Sequence, residues 1–268
     1  MSIKQTTVAL AALLVANFAT AQTAAPKAPE PSYTMSYNLG VTSDYRYRGI
    51  SQSGLKPALQ GGLDYANKNG VYLGAWASTI KWIKDDGRIA GVDAGSSPVE
   101  LDLYGGYKFE AAKDLTLDFG ALQYVYTGNK YNAIANSSNA NTLELYGAVT
   151  YGIFTAKYSR SQGSLFGVGP SQGPTNSKGS GYLDLSATID LGNGYSVVPH
   201  AGNQGVRNNG NFAYTDYSLT LNKDFDGTVL SAAVVGTNTK NTAGYAYATP
   251  EGKNRGKGAL VVSLKKNF

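Results

Sequence analysis

From Tyr33 to the end, hydrophobic and polar residues alternate with a period of two rather than 3.6, the pattern of a β-strand with one apolar face. Tyr33, Met35, Tyr37, Leu39 and Val41 alternate with Thr34, Ser36, Asn38 and Thr42 in a first run that extends to Tyr45. The same alternation recurs over Val99–Phe109, Thr142–Tyr151 and Gly181–Leu191. Further runs lie near Pro57–Ala66, Val71–Ile80, Leu115–Thr127, Ile153–Ser161, Tyr195–Gln204, Tyr214–Asn222, Thr228–Thr237 and Gly258–Phe268, about twelve in all. The runs at Val71 and Thr228 alternate poorly, and Pro199 weakens the ninth because proline cannot donate to a ladder.

The connections alternate in length. Short ones (Asn67–Gly70, Glu110–Asp114, Tyr151–Gly152, Leu191–Gly194, Lys223–Gly227) carry Asn-Gly and Asp-Gly hairpin chemistry. Long ones are Arg46–Lys56, Lys81–Pro98, Gly128–Asn141, Gln162–Ser180, Gly205–Ala213 and Asn238–Arg255. Short turns at one end and long loops at the other predict an all-β, up-and-down antiparallel transmembrane β-barrel, with the short turns on the periplasmic side. Aromatic residues predict two girdles: Tyr33, Tyr65, Tyr72, Tyr107, Phe109, Tyr151, Phe154, Tyr195 and Phe268 on that side, and Tyr45, Tyr124, Tyr126, Tyr158, Tyr182 and Tyr217 on the other.

The termini sharpen the compartment. Lys4, the apolar Val8–Phe18 run and Ala19-Thr20-Ala21 read as a cleaved secretory signal peptide over residues 1–21. The run is too short to span a bilayer, which needs roughly 20 residues. Residues 22–32, rich in Pro and Ala, read as a periplasmic lead-in to the barrel at 33–268. The last run, GKGALVVSLKKNF, sets Leu260, Val262, Leu264 and Phe268 on one face. Bacterial outer-membrane barrels commonly end on such an aromatic, so Phe268 resembles their C-terminal assembly signal, and the expected location is the cell outer membrane. Lys266 departs from that pattern, a position where a lysine can snorkel to headgroups.

Composition agrees. The chain has 33 Gly, 20 Tyr, only 8 Phe and 2 Met, with mean hydropathy −0.23. A globular core would need more Leu, Ile and Phe. A net charge of +5, dispersed along the chain, gives no footprint for nucleic acid. With no cysteine, disulfides and a lipoprotein anchor are excluded, and one histidine leaves no ordinary zinc site. No cofactor is expected.

One stretch is denser than the alternation requires: Ser43-Asp44-Tyr45-Arg46-Tyr47-Arg48-Gly49-Ile50-Ser51-Gln52-Ser53. With Pro57–Tyr65, Gly70–Ser78 and Glu100–Tyr107 it resembles the TorF-type outer-membrane porin family, along the chain from about Tyr33 to Phe268. The resemblance implies an outer-membrane β-barrel porin and supplies no catalytic residues or substrate.

The inward faces then become the candidate chemistry. Asp44, Arg46 and Arg48 share one face and Tyr45 and Tyr47 the other; with Tyr45 facing lipid at the interface, the charged face looks into the lumen mouth. The two guanidiniums either attract anions at the lumen mouth or pair with lumen acids. Glu100, Asp102, Asp118, Glu144 and Asp184 are the acidic lumen-lining candidates, and Lys108 and Lys157 the basic ones, with Lys265 and Arg160 nearby. An acidic wall opposite a basic one would filter solutes by charge; a cross-barrel salt-bridge network would instead fill a narrow lumen. The expected function is a non-enzymatic channel for passive diffusion of small polar solutes or ions, with outer-membrane lipid and the barrel-assembly machinery as partners. The alternatives are a non-conducting structural or adhesive barrel and, from His200 as a general base, a lipid hydrolase, although no G-x-S-x-G occurs. Asp85-Asp86-Gly87 and the Asn-rich 136–141 stretch read as loop segments with weak calcium-binding character.

Overall fold

The computed structural model describes residues 31–239 and 247–268. The proposed signal peptide and most of the lead-in lie outside them. Fifteen strands are β1 (Tyr33–Thr42), β2 (Arg46–Tyr47), β3 (Ile50–Ser51), β4 (Ala58–Asn67), β5 (Val71–Thr79), β6 (Val99–Ala112), β7 (Leu115–Tyr126), β8 (Thr142–Tyr151), β9 (Phe154–Ser161), β10 (Gly181–Ala187), β11 (Ile189–Gly192), β12 (Tyr195–Gly205), β13 (Tyr214–Phe225), β14 (Thr228–Thr237) and β15 (Ala259–Asn267). The strands β2 and β3 form a separate hairpin. Because β10 and β11 are one stave interrupted at Thr188, the rest make a closed antiparallel barrel of twelve staves.

The stave β10–β11 pairs in both its parts with the next strand, β12, from Gly181↔Gly205 to Ser186↔His200 along β10. The barrel closes where the last strand, β15, pairs with the first, β1, with Val41 opposite Leu264 and Asn38 opposite Asn267. Among the described residues no edge of the barrel sheet is left to meet hydrocarbon, where an unpaired backbone group costs several kcal/mol.

The outer face is the apolar one. Tyr37, Leu39, Leu73, Phe119, Leu145, Leu219, Val234 and Leu260 are all exposed, Leu260 to 66%. The weakly alternating runs at Val71 and Thr228 are ordinary strands, and Leu73, Leu230 and Val234 give their outward faces. Hairpin chemistry holds at the short-turn end: Asp226 and Gly227 both have positive φ, 53° and 82°, as a type I′ turn requires. Among the described residues no helix is long and apolar enough to cross a membrane.

Two of the long connections carry structure of their own. Within Lys81–Pro98, Trp82–Ala90 is a helix, α1, that spans the Asp85-Asp86-Gly87 string. Its buried Trp82 and Ile83 pack inward, with Trp82 edge-on to Tyr126 (5.3 Å between centroids) and Tyr131 (5.2 Å). The first long loop is likewise ordered, as the β2–β3 hairpin.

The loops fold over the barrel end and bury an aromatic core. Tyr45, Ile80, Trp82, Ile83, Tyr124, Tyr126 and Tyr131 form one cluster, joined by Tyr47, Trp76 and Phe166. The girdle assignments of Tyr45, Tyr124, Tyr126 and Tyr182 are therefore corrected, since all four are buried inside. Tyr72 also turns inward, its phenol on Asp118. Tyrosine suits an interface and a polar lumen equally, so alternation alone misassigns it. Tyr33, Tyr107, Tyr151, Phe154, Tyr158, Tyr195, Tyr217 and Phe268 do face outward.

Candidate functional site in the barrel lumen

The dense first-loop string builds its own brace. Asp44 Oδ1 accepts from Ser51 Oγ (2.6 Å) and Ser53 Oγ (3.1 Å), and its Oδ2 accepts from Arg46 Nε (2.6 Å). Arg46 Nη1 donates to the carbonyls of Gly49, Arg255 and Lys257 at 2.9–3.0 Å, stitching the first loop to the last. Arg46 is thus committed to structure at the mouth. The hairpin register Tyr47↔Ile50 places Arg48 and Gly49 at the turn, with φ of 47° and 77°. Gly49 fits against β13 and β14 so closely that an added Cβ would lie 2.8 Å from Asp216 Cβ and 2.5 Å from Thr237 Cγ2.

That turn aims Arg48 into the lumen. Its guanidinium grips Glu144 with both prongs, Nη1 to Oε1 at 3.0 Å and Nη2 to Oε2 at 2.7 Å. Nη1 also donates to Gln204 Oε1 at 2.7 Å. The guanidinium lies 4.1 Å from the centroid of the Tyr182 ring and 4.8 Å from that of Tyr47. Arg48 therefore joins strands β8, β10 and β12 across the barrel, with planar, bidentate geometry that lysine would not provide.

Glu100 sits beside this layer, 2% exposed, held by two phenols: Tyr45 Oη donates to Oε1 at 2.5 Å and Tyr126 Oη to Oε2 at 2.7 Å. Burial, then the Glu100 charge, pushes the Tyr45 phenol well above its ordinary range, so it remains a donor. Asp102 is also buried, and its Oδ1 has no hydrogen-bond partner.

Toward mid-barrel lies a cavity of about 550 Å³, lined by Asp44, Arg46, Arg48, Lys157, Asp184, His200 and Asp216 among others. His200 Nε2 is 3.2 Å from Asp184 Oδ2, and Nδ1 is 3.6 Å from Asp216 Oδ1. Tyr182 Oη donates to both oxygens of Asp216, at 3.1 and 3.2 Å. Nearer the short turns, Lys108 Nζ is 3.6 Å from Asp118 Oδ2, and Asp118 Oδ1 accepts from Tyr72 at 2.6 Å.

Lys108 thus meets Asp118 on the adjacent strand, while Arg48 reaches from the first loop to Glu144 on β8. Lys157 lies between two acid-bearing strands, β8 and β10. The structure brings Asp44, Arg46, Arg48, Lys157 and Asp184 to one cavity, with Glu144 bound to Arg48; Glu100 and Asp102 stand beside the loop core, and Lys108 and Asp118 lie deeper. The sequence reading missed Asp216 and treated His200 in isolation. A signal for Asp216 was present, since Tyr214, Asp216, Ser218, Thr220 and Asn222 alternate on one face.

A model of a family described as bacterial protein of unknown function (Gcw_chp) matches residues 25–268. The chain belongs to the Gcw_chp family. Among solved structures it is similar to the NanC porin, with TM-score 0.51 and 11% identity, covering 88% of this chain and 99% of that one. It is also similar to the KdgM porin, with TM-score 0.50 and 8% identity, covering 87% and 98%. At such identities the likeness is one of fold: the barrel is porin-like. No curated protein sequence matches the chain.

Proposed function

We propose that this Gcw_chp protein is an outer-membrane channel for passive diffusion of small polar solutes or ions, akin to the TorF-type porins its first-loop string resembles. The observation that carries this reading is the 550 Å³ cavity inside a closed barrel whose inner face bears charges of both signs. Arg48, Glu144, Lys157 and Asp184 set the field along the path, while Asp44 and Arg46 hold the mouth. Outer-membrane lipid covers the apolar outer face, and the barrel-assembly machinery reads the Phe268 strand. The role is non-enzymatic: His200 is engaged by Asp184 and Tyr182, not by a serine hydroxyl.

A second reading, a non-conducting barrel with functional loops, is favoured by the aromatic core that the loops bury across the long-loop end. Single-channel recording of the refolded protein in planar bilayers separates the two. Discrete conductance steps support the channel; a folded barrel that never conducts supports the closed one.

A further inference from the structure

Lys157 and Asp184 are register partners on β9 and β10, so their Cα atoms lie about 5 Å apart on the same inward face. A lysine and an aspartate so placed ordinarily pair. Here they turn away from each other. Lys157 Nζ lies 3.8 Å from the centroid of the Tyr146 ring, toward β8. Asp184 Oδ2 lies 3.2 Å from His200 Nε2, toward β12. Among the described residues no carboxylate lies within 4.0 Å of Lys157, and Asp184 Oδ1 accepts no hydrogen bond. The Asp184 side chain is 32% exposed.

The other cavity charges are occupied. Arg48 is closed by Glu144 and Gln204, and Asp216 is 2% exposed beneath Tyr182. What remains open to the lumen is the Lys157 ammonium and, beside it, the Asp184 oxygen that His200 does not engage, on a cavity whose volume lies within the range of small-molecule sites.

We propose that this gap selects small zwitterions, α-amino acids and short peptides, whose carboxylate meets Lys157 while their ammonium meets Asp184. The inference rests on the channel reading for its transport consequence, but not for binding. A monovalent anion or cation satisfies one wall group and is repelled by the other. A neutral sugar satisfies neither charge. A zwitterion satisfies both and releases Lys157 from the weaker Tyr146 contact.

Two experiments test it. Saturation-transfer NMR on the refolded protein in detergent, with alanine and dialanine as probes, reads binding whether or not the barrel conducts. Liposome swelling then compares dialanine with a neutral sugar of similar size in the same preparation. The expected results are a saturation signal for both probes and faster swelling with dialanine. In Lys157→Met and Asp184→Asn the dialanine-to-sugar ratio falls about twofold to fivefold, the effect of losing one partly exposed ion pair. No probe saturation in the wild type overturns the inference, as does an equal dialanine-to-sugar ratio in wild type and variants. Saturation without swelling for any solute leaves the binding site standing and overturns the channel reading instead.

Discussion

The Arg48 guanidinium and the Glu144 carboxylate meet in a two-pronged contact, 3.0 and 2.7 Å, that ties the tip of the first loop to a wall strand 96 residues later. Both side chains are nearly inaccessible, so removing either leaves a buried charge without its partner. Arg48→Ala is expected to destabilise the loop core by about 3–5 kcal/mol, the cost of breaking a buried pair. Trp76 and Trp82, the only tryptophans, both pack in that core, and their emission during urea titration reports its opening. Arg48→Ala also exposes Glu144, which shifts channel selectivity toward cations; adding Glu144→Gln cancels the shift. An unchanged reversal potential in Arg48→Ala places the pair off the ion path.

Gly49 supplies an independent handle on the same tip. Its φ of 77° costs a non-glycine residue about 1–2 kcal/mol, and the Cβ would collide with Thr237 and Asp216. Gly49→Ala should therefore withdraw Arg48 from Glu144 without touching either side chain. The expected signature is loss of the same tryptophan transition with the barrel strands intact by far-UV circular dichroism. A wild-type transition would show that the tip does not depend on this close approach.

These variants concern a layer that the chain's alternation could only half reveal. Period-two patterning assigns Tyr37 and Leu39 to the outer face because each sits between polar or small neighbours on a regular strand. Beyond Ser43 the strand bends inward, and alternation no longer reports a wall face. Tyr45 thus reads as lipid-facing yet donates to Glu100 inside. Tyr124, Tyr126 and Tyr182 mislead for another reason: a phenol is at home at an interface and equally on a buried carboxylate. The charged string from Asp44 to Arg48 announces a special site, but its partners Glu144, Gln204 and Arg255 lie far along the chain, and only closure of the barrel brings them together.

The loop helix predicts a pH dependence. Asp86 accepts from Arg255 Nη2 at 2.6 Å and from Tyr131 Oη at 2.8 Å. Burial raises its carboxyl above the ordinary range, against the opposing pull of Arg255 and Tyr131. The folded carboxyl therefore binds its proton more readily than the unfolded one. Its contribution to stability is fully present below about pH 4 and is lost as pH rises through the raised folded value. Urea titration of Trp82 emission from pH 4 to 7 should show a decline in the wild type that is smaller in Asp86→Asn. An identical slope in both proteins refutes the assignment.

Phe268 makes two backbone hydrogen bonds to Tyr37, its N–H donating at 2.8 Å and its carbonyl accepting at 3.1 Å, at the seam where the barrel closes. Its side chain points outward. Backbone and side chain can be tested separately. Deleting Phe268 leaves both Tyr37 groups unpaired at the membrane rim, where unsatisfied backbone groups are costly, and should slow closure in vesicles. Phe268→Ala keeps both bonds and should close at nearly the wild-type rate in vitro. If the aromatic ring is the assembly signal, Phe268→Ala should nevertheless accumulate poorly in the outer membrane of cells, read as loss of the heat-modifiable folded band. Wild-type accumulation in cells would remove the signal role and leave only the seam. Normal closure of the deletion in vesicles would remove the seam role as well.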